Sequence, residues 1–146
     1  MDNNFAFQVA DTAHLLRREF DRRAAALGVT RAQWRVLMML SRQDGSKQVD
    51  LADALDVEPI TLCRMVDRLV DAALVERRRD DTDRRAWRIH LTAAAGPVIG
   101  RLRALGETFL ADALHGVSEK EQVLVLEALT RVRGNLAGGR VARKVS

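Results

Sequence analysis

A chain of 146 residues and 16.3 kDa is long enough for one domain, or one domain with an extension, and can bury a real core. Hydrophobic residues at 47% against 30% charged exclude a disordered chain, and a single cysteine excludes an intrachain disulfide framework and suits a reducing compartment. No apolar run approaches the roughly 20 residues that span a bilayer, and Met1-Asp2-Asn3-Asn4 does not read as a signal peptide, so the expectation is a soluble, cytoplasmic protein with no membrane partner.

The net charge of +4 goes with an isoelectric point near 10.2, because lysine occurs only at 47, 120 and 144 and arginine supplies the rest. Arginine's planar fork donates in pairs and suits phosphates and base edges. Between Arg77 and Arg88 six arginines (Arg77, Arg78, Arg79, Arg84, Arg85, Arg88) face three aspartates (Asp80, Asp81, Asp83), a local basic excess.

The first helical pattern runs from about Phe5 to Leu27, with Phe5, Val9, Ala13, Leu16 and Phe20 on one side and Gly28 closing it. Thr30 and Gln33 form a capping box ahead of Trp34, Leu37, Met38 and Leu40, which predicts a second helix over 30–42. Asp44-Gly45-Ser46 reads as a turn. Two short helices follow. Residues 48–55 place Val49, Ala52 and Leu55 together. After the Asp56-Val57 connector, Glu58-Pro59 reads as an N-cap and first helical position. The helix begun there buries Leu62, Met65, Val66 and Leu69, while Thr61, Cys63, Arg64 and Arg68 stay on its other face. That is a helix-turn-helix arrangement.

Residues 75–79 and 85–91 read as strands, the second with Trp87, Ile89 and Leu91 alternating with Arg88 and His90. The polar stretch Asp80 to Arg84 makes them a hairpin, and a helix-turn-helix followed by a basic hairpin is a winged helix. Thr92 is placed to cap a long helix over 93–115, with Gly96-Pro97 in its first turns and Ile99, Leu102, Leu105, Phe109, Leu110 and Leu114 on its apolar face. Ser118 and Glu121 box a last helix that carries Leu124, Leu129, Val132 and Leu136, and a frayed tail is expected over 137–146. The fold class is thus mainly α with a small β-hairpin wing. A winged helix-turn-helix over about 30–92 is flanked by dimerisation helices over about 5–28 and 93–136, all one domain of 1–146. The terminal helices are too apolar to be solvated appendages. Their simplest partner is a second copy, through Phe5, Val9, Leu105, Phe109, Leu124 and Leu129.

In such a fold the second helix enters the major groove of DNA. Pro59 and Ile60 are placed to touch thymine methyls, Thr61 and Arg64 to offer hydrogen bonds, Cys63 to lie beside them, and Arg68 to reach a phosphate. Arg84 and Arg85 at the hairpin tip suit a narrow minor groove, with Asp83 orienting the Arg85 guanidinium by a charge-assisted pair.

The runs Gln48-Val49-Asp50-Leu51-Ala52, Thr61 to Leu69 (TLCRMVDRL), Leu74-Val75-Glu76-Arg77, and Asp83-Arg84-Arg85-Ala86 through Leu91-Thr92 together resemble the MarR family of transcriptional regulators. The resemblance covers residues 30–92 best, and the Asp83-Arg84-Arg85-Ala86 to Leu91-Thr92 segment is its most specific part. It implies an obligate homodimer with interleaved terminal helices, bound to a pseudo-palindromic operator in double-stranded DNA. It also implies a small anionic or phenolic effector that alters the spacing of the two wing domains, with His14 and Arg17 near Trp34 as candidate contacts. Two residues depart from the family pattern. A glycine usual after the recognition helix is Ala73 here, which removes the preferred left-handed terminator. Cys63 stands where Ser or Thr is usual, and this chain has neither the first-helix cysteine nor the tyrosines of peroxide-sensing members.

The leading expectation is a ligand-responsive, DNA-binding repressor. Alternatives are a winged-helix dimer used as a protein-interaction module, or a thiol sensor acting through Cys63 beside Arg64. His14, His90 and His115 show no metal-ligand spacing, so no metal or cofactor is expected. No glycine-rich phosphate loop, G-x-S-x-G or clustered carboxylate and histidine set points to an enzyme.

Overall fold

The structure, a computed structural model, describes residues 4–138. The expected frayed tail therefore falls almost wholly outside the described residues. Elements follow in the order α1 (Phe5–Ala26), α2 (Arg31–Arg42), β1 (Ser46–Lys47), α3 (Gln48–Leu55), α4 (Pro59–Asp71), β2 (Val75–Arg79), β3 (Trp87–Leu91), α5 (Ala95–Ala113) and α6 (Glu119–Ala137). The chain divides into two compact units, Met1–Leu110 and Ala111–Ser146.

Local signals in the sequence account for four of the six helix starts among the described residues. Asn4 caps α1 by accepting from the Ala6 N–H, and Gly28 ends that helix in the left-handed conformation at φ 77°. The Thr30–Gln33 and Ser118–Glu121 capping boxes both form, each satisfying two N–H groups that have no partner inside the helix. Pro59 opens α4 at its first position, where its missing N–H costs no hydrogen bond.

The core of the first unit is a single cluster. α2 contributes Val36, Leu37 and Leu40, α3 Leu51 and Leu55, and α4 Leu62, Val66 and Leu69. Val75, Ile89, Ile99 and Leu102 close it from β2, β3 and α5. Leu62 and Leu69 are fully buried, so truncating either to alanine costs about 2–5 kcal/mol. This packing sets α4 with one face inward and the other toward solvent. In the second unit α6 has no buried residue, and Val123, Leu124, Val125 and Leu126 are all more than half exposed.

The wing departs from the expected hairpin in three ways. It is a three-stranded antiparallel sheet of order β1-β3-β2, with Ser46 opposite Ile89 and Lys47 opposite Arg88. Two residues carry no strand periodicity, so β1 is invisible to pattern reading. It is held by Asp44 Oδ1, which accepts from Gly45 N and Leu91 N, and by Gly45 N donating to Ile89 O. Gly45 has φ 75°, where a side chain is strained, and a Cβ there would lie 2.8 Å from the His90 ring, which would have to shift.

β3 starts at Trp87 rather than at 85, because the Asp83 turn consumes the intervening backbone: Ala86 N donates to Asp83 O and Arg85 N to Asp83 Oδ1. Thr92, finally, does not cap α5 with its side chain. Its hydroxyl donates instead to Ala73 O at 2.6 Å, tying the end of β3 to the end of α4, and α5 begins at Ala95.

Candidate nucleic-acid interface

α4 presents Pro59, Ile60, Thr61, Arg64 and Arg68 to solvent, with Ile60 60% exposed at its first turn. The guanidinium groups of Arg64 and Arg68 have no hydrogen-bond or ion-pair partner among the described residues. Cys63 differs. It is half-buried and points toward the wing, with its Sγ 3.8 Å from an Arg77 nitrogen.

Six arginines between positions 77 and 88 suggest a continuous basic surface, but the structure divides them. Arg77, half-buried in β2, donates to Gln48 Oε1 at 3.2 Å and Cys63 O at 3.1 Å, and pairs with Asp67 at 2.6 Å. Arg78 pairs with Glu76 on the same strand. Arg79 lies 3.9 Å from the Trp87 ring centroid and donates to Arg84 O at 2.7 Å, so it stacks on the wing while bracing its tip. Arg88 donates to Asp80 and to Gly45 O. Only Arg84 and Arg85 are left with exposed guanidinium groups that have no protein partner among the described residues. Arg77, Arg79 and Arg88 brace the wing, Arg78 pairs along its own strand, and Arg84 and Arg85 project.

Asp80 is the carboxylate that sequence reading passes over. It is 5% exposed at the hairpin tip and accepts from Arg88 Nε, from Thr82 Oγ1 at 2.8 Å and from Asp83 N at 3.1 Å. The Arg88 and Thr82 hydrogen bonds, helped by the Asp83 N–H, hold its carboxyl well below the usual aspartate range against a smaller opposing effect of burial. Its signal in the sequence is a turn aspartate followed eight residues later by an arginine on a strand, a spacing with no local meaning. Asp83, in contrast, does not hold the Arg85 guanidinium as expected. Its Oδ1 accepts the Arg85 backbone N–H at 3.0 Å, so it shapes the turn and leaves the arginine free.

Residues 27–86, which carry α2 to α4, β1, β2 and the hairpin tip, match the MarR family profile. The transcriptional regulator PA3341 is 38% identical over 92% of this chain and 99% of its own, with a TM-score of 0.83. The chain belongs to the MarR family of transcriptional regulators. A MarR-family regulator from Silicibacter pomeroyi is 28% identical over 94% of this chain and 91% of its own, at TM-score 0.76. A mutant MarR from E. coli, solved in complex with operator DNA, shares the fold at 23% identity and TM-score 0.76, over 87% of this chain and 91% of that one.

Away from the wing, α1, α2 and α5 of this MarR-family chain enclose an apolar groove of about 520 Å³. Phe20, Trp34 and Phe109 form its aromatic wall, with ring centroids 4.8 Å apart for Phe20 and Trp34 and 5.7 Å for Phe20 and Phe109. Arg17, Arg42 and Arg103 ring it, opposed by Glu107 alone. Trp34 donates its indole N–H to Asp21 at 2.8 Å, which fixes the ring. Of the three residues expected at an effector site, Arg17 and Trp34 line this groove and His14 does not. No helix among the described residues is long and apolar enough to cross a membrane.

The residues expected to meet a second copy fall into two sets. Phe5, Val9 and Leu124 are exposed, at 58%, 40% and 56%, and Leu129 is half-buried. Leu105 packs on the core of its own chain, and Phe109 is only 8% exposed, enclosed by Phe20 and by Arg23 over its ring at 5.5 Å. Phe109 is a core residue before any partner arrives. Its ring lies edge-on to Phe20 where α5 meets α1 beside that groove.

Proposed function

We propose that this chain is a homodimeric repressor that binds a pseudo-palindromic operator in double-stranded DNA and is released by a small anionic or phenolic ligand. The observation that carries the reading is the set of unpartnered guanidinium groups. Arg64 and Arg68 stand on the helix that a winged helix lays in the major groove, and Arg84 and Arg85 stand at the tip beside it. Pro59, Ile60 and Thr61 at the start of α4 supply the side chains placed to meet base edges, with Cys63 behind them. Asp83 serves by shaping the turn that projects Arg85.

Dimerisation is supported by the exposed apolar side chains of α1 and α6, Phe5, Val9 and Leu124 among them, which a lone chain leaves in water. The groove beside Trp34, with three arginines around aromatic walls, has the chemistry for an aromatic carboxylate or phenolate. A cytoplasmic location follows from this role. The test is titration of the protein against duplex DNA from upstream of its own gene, across a salt series. Tight binding to a two-fold site with a steep salt dependence supports the proposal. Binding that ignores both sequence and salt overturns it and favours a protein-interaction module.

A further inference from the structure

A second groove, about 600 Å³, runs between the start of α2 and one flank of α4. Arg31 and Arg35 line it from α2, and Thr61, Arg64 and Arg68 line it from α4. No carboxylate is among its lining residues. Four guanidinium groups around one open groove repel one another, an arrangement that favours an anion between them. Arg35 is fixed there by donating to Leu55 O at 2.8 Å, which leaves its other N–H groups free to donate outward. Arg31 is half-exposed and makes one long ion pair, 3.7 Å from its Nε to Asp21 Oδ2, while Trp34 donates to the other Asp21 oxygen; its two terminal nitrogens have no hydrogen-bond partner among the described residues.

We infer that this groove seats the phosphodiester backbone that borders the major groove, and that Arg31 and Arg35 extend the DNA-binding surface from α4 onto α2. The inference rests on the DNA-binding reading above and adds residues that the helix-turn-helix pattern does not include. A helix lying in the major groove has its flanks against the sugar-phosphate strands, and α4 contributes three of the arginine and threonine side chains around this groove. The N-terminus of α2, where Arg31 and Ala32 are the first two helical residues, adds a favourable dipole for a phosphate. Phosphate contacts position the protein without reading sequence, so Arg31 and Arg35 serve register and affinity on any duplex.

The experiment uses the full chain and two duplexes, one carrying a site selected by the wild-type protein and one of unrelated sequence. Anisotropy titrations across a sodium chloride series yield the slope of log affinity against log salt for wild type, Arg31→Ala, Arg31→Lys and Arg31→Glu. The slope for Arg31→Ala is expected to be shallower by about 0.9 for each phosphate that is no longer neutralised, hence about 1.8 for a dimer, with affinity reduced by the same factor on both duplexes. Arg31→Lys keeps most of the wild-type slope, and Arg31→Glu weakens binding more than alanine does. A folded Arg31→Ala protein with the wild-type slope overturns the inference and leaves the DNA reading standing. A wild-type protein that shows no salt-dependent binding to either duplex overturns both. Replacing chloride by sodium phosphate at equal ionic strength tests for a free oxyanion. Phosphate that binds the wild type but not Arg31→Ala, and loosens neither duplex, assigns the groove to a free anion and overturns the duplex assignment.

Discussion

Arg77 of the wing strand β2 and Asp67 of the recognition helix α4 lie 2.6 Å apart, and the same guanidinium donates to Cys63 O one turn earlier on that helix. One side chain therefore ties α4, which carries Arg64, to the strand that leads into the tip holding Arg85. Arg77→Ala is expected to lower stability by about 1–2 kcal/mol, since it removes hydrogen bonds to a charged group and orphans Cys63 O only within a helix. On an operator duplex it lowers affinity while leaving the salt slope of wild type, because Arg77 is occupied inside the protein. Chemical unfolding and anisotropy measure the two effects separately. A shallower slope would make Arg77 a phosphate contact instead.

The Asp80 network makes the wing acid-sensitive. Arg88 and then Thr82 hold the Asp80 carboxyl below its unfolded value, so the network stabilises the protein above about pH 4, the ordinary aspartate range. That contribution is lost as the pH falls toward the depressed folded value. Asp80→Asn is expected to melt at a lower temperature than wild type at neutral pH. The gap between the two proteins narrows as the pH drops below about 4, read by thermal melts across a pH series. A constant gap would remove the ionised carboxylate from the account.

Ala73 occupies the left-handed region at φ 60°, the conformation its missing glycine would have taken. The chain is held there because Leu74 N donates to Leu69 O and Thr92 donates to Ala73 O. A Cβ in that conformation costs roughly 1–2 kcal/mol, and the extra chain entropy of glycine offsets part of the relief. Ala73→Gly should therefore stabilise the protein by about 0.5–1 kcal/mol with DNA affinity unchanged, as measured by urea titration and anisotropy. Destabilisation would mean that Ala73 is not strained.

Among the wing arginines the structure separates those with a protein partner from Arg84 and Arg85, whose guanidinium groups have none among the described residues. Arg84→Ala and Arg85→Ala should each weaken operator binding by about 1–3 kcal/mol without moving the melting temperature. Arg78→Ala, which breaks only an exposed pair with Glu76, should change either by less than about 0.5 kcal/mol. An equal drop in affinity for Arg78→Ala and Arg85→Ala would return all of the arginines to a common charge effect.

The groove around Trp34 can be read optically. The chain has two tryptophans, and Trp87→Phe leaves Trp34 as the single emitter, fixed by Asp21 at the groove wall. An aromatic carboxylate such as benzoate should quench its emission saturably and release DNA over the same concentration range. Arg17→Ala should raise the concentration needed roughly tenfold, which corresponds to removing one charge-assisted hydrogen bond of about 1.5 kcal/mol. Quenching that never saturates would assign the effector elsewhere.

What is legible in the sequence is what the chain settles over a few residues. Thr30 with Gln33, Ser118 with Glu121, Pro59 and Gly28 set helix ends by bonding or freeing backbone groups within one turn, and the 3.6-residue period of Leu62, Met65, Val66 and Leu69 sets which face of α4 is buried. The winged helix, its family resemblance and the exposed Arg64, Arg68, Arg84 and Arg85 all follow from such local rules. Tertiary structure decides the rest, because it concerns partners that meet only after folding. Asp44 reaches Leu91 across 47 residues to make β1, and Arg77 reaches Cys63 across 14. Phe109 turns toward Phe20, and Ala73 is forced into a conformation that its own side chain opposes. Charge in a sequence is only a sum. Folding determines which guanidinium groups are neutralised by an acid of the same chain and which are left without one.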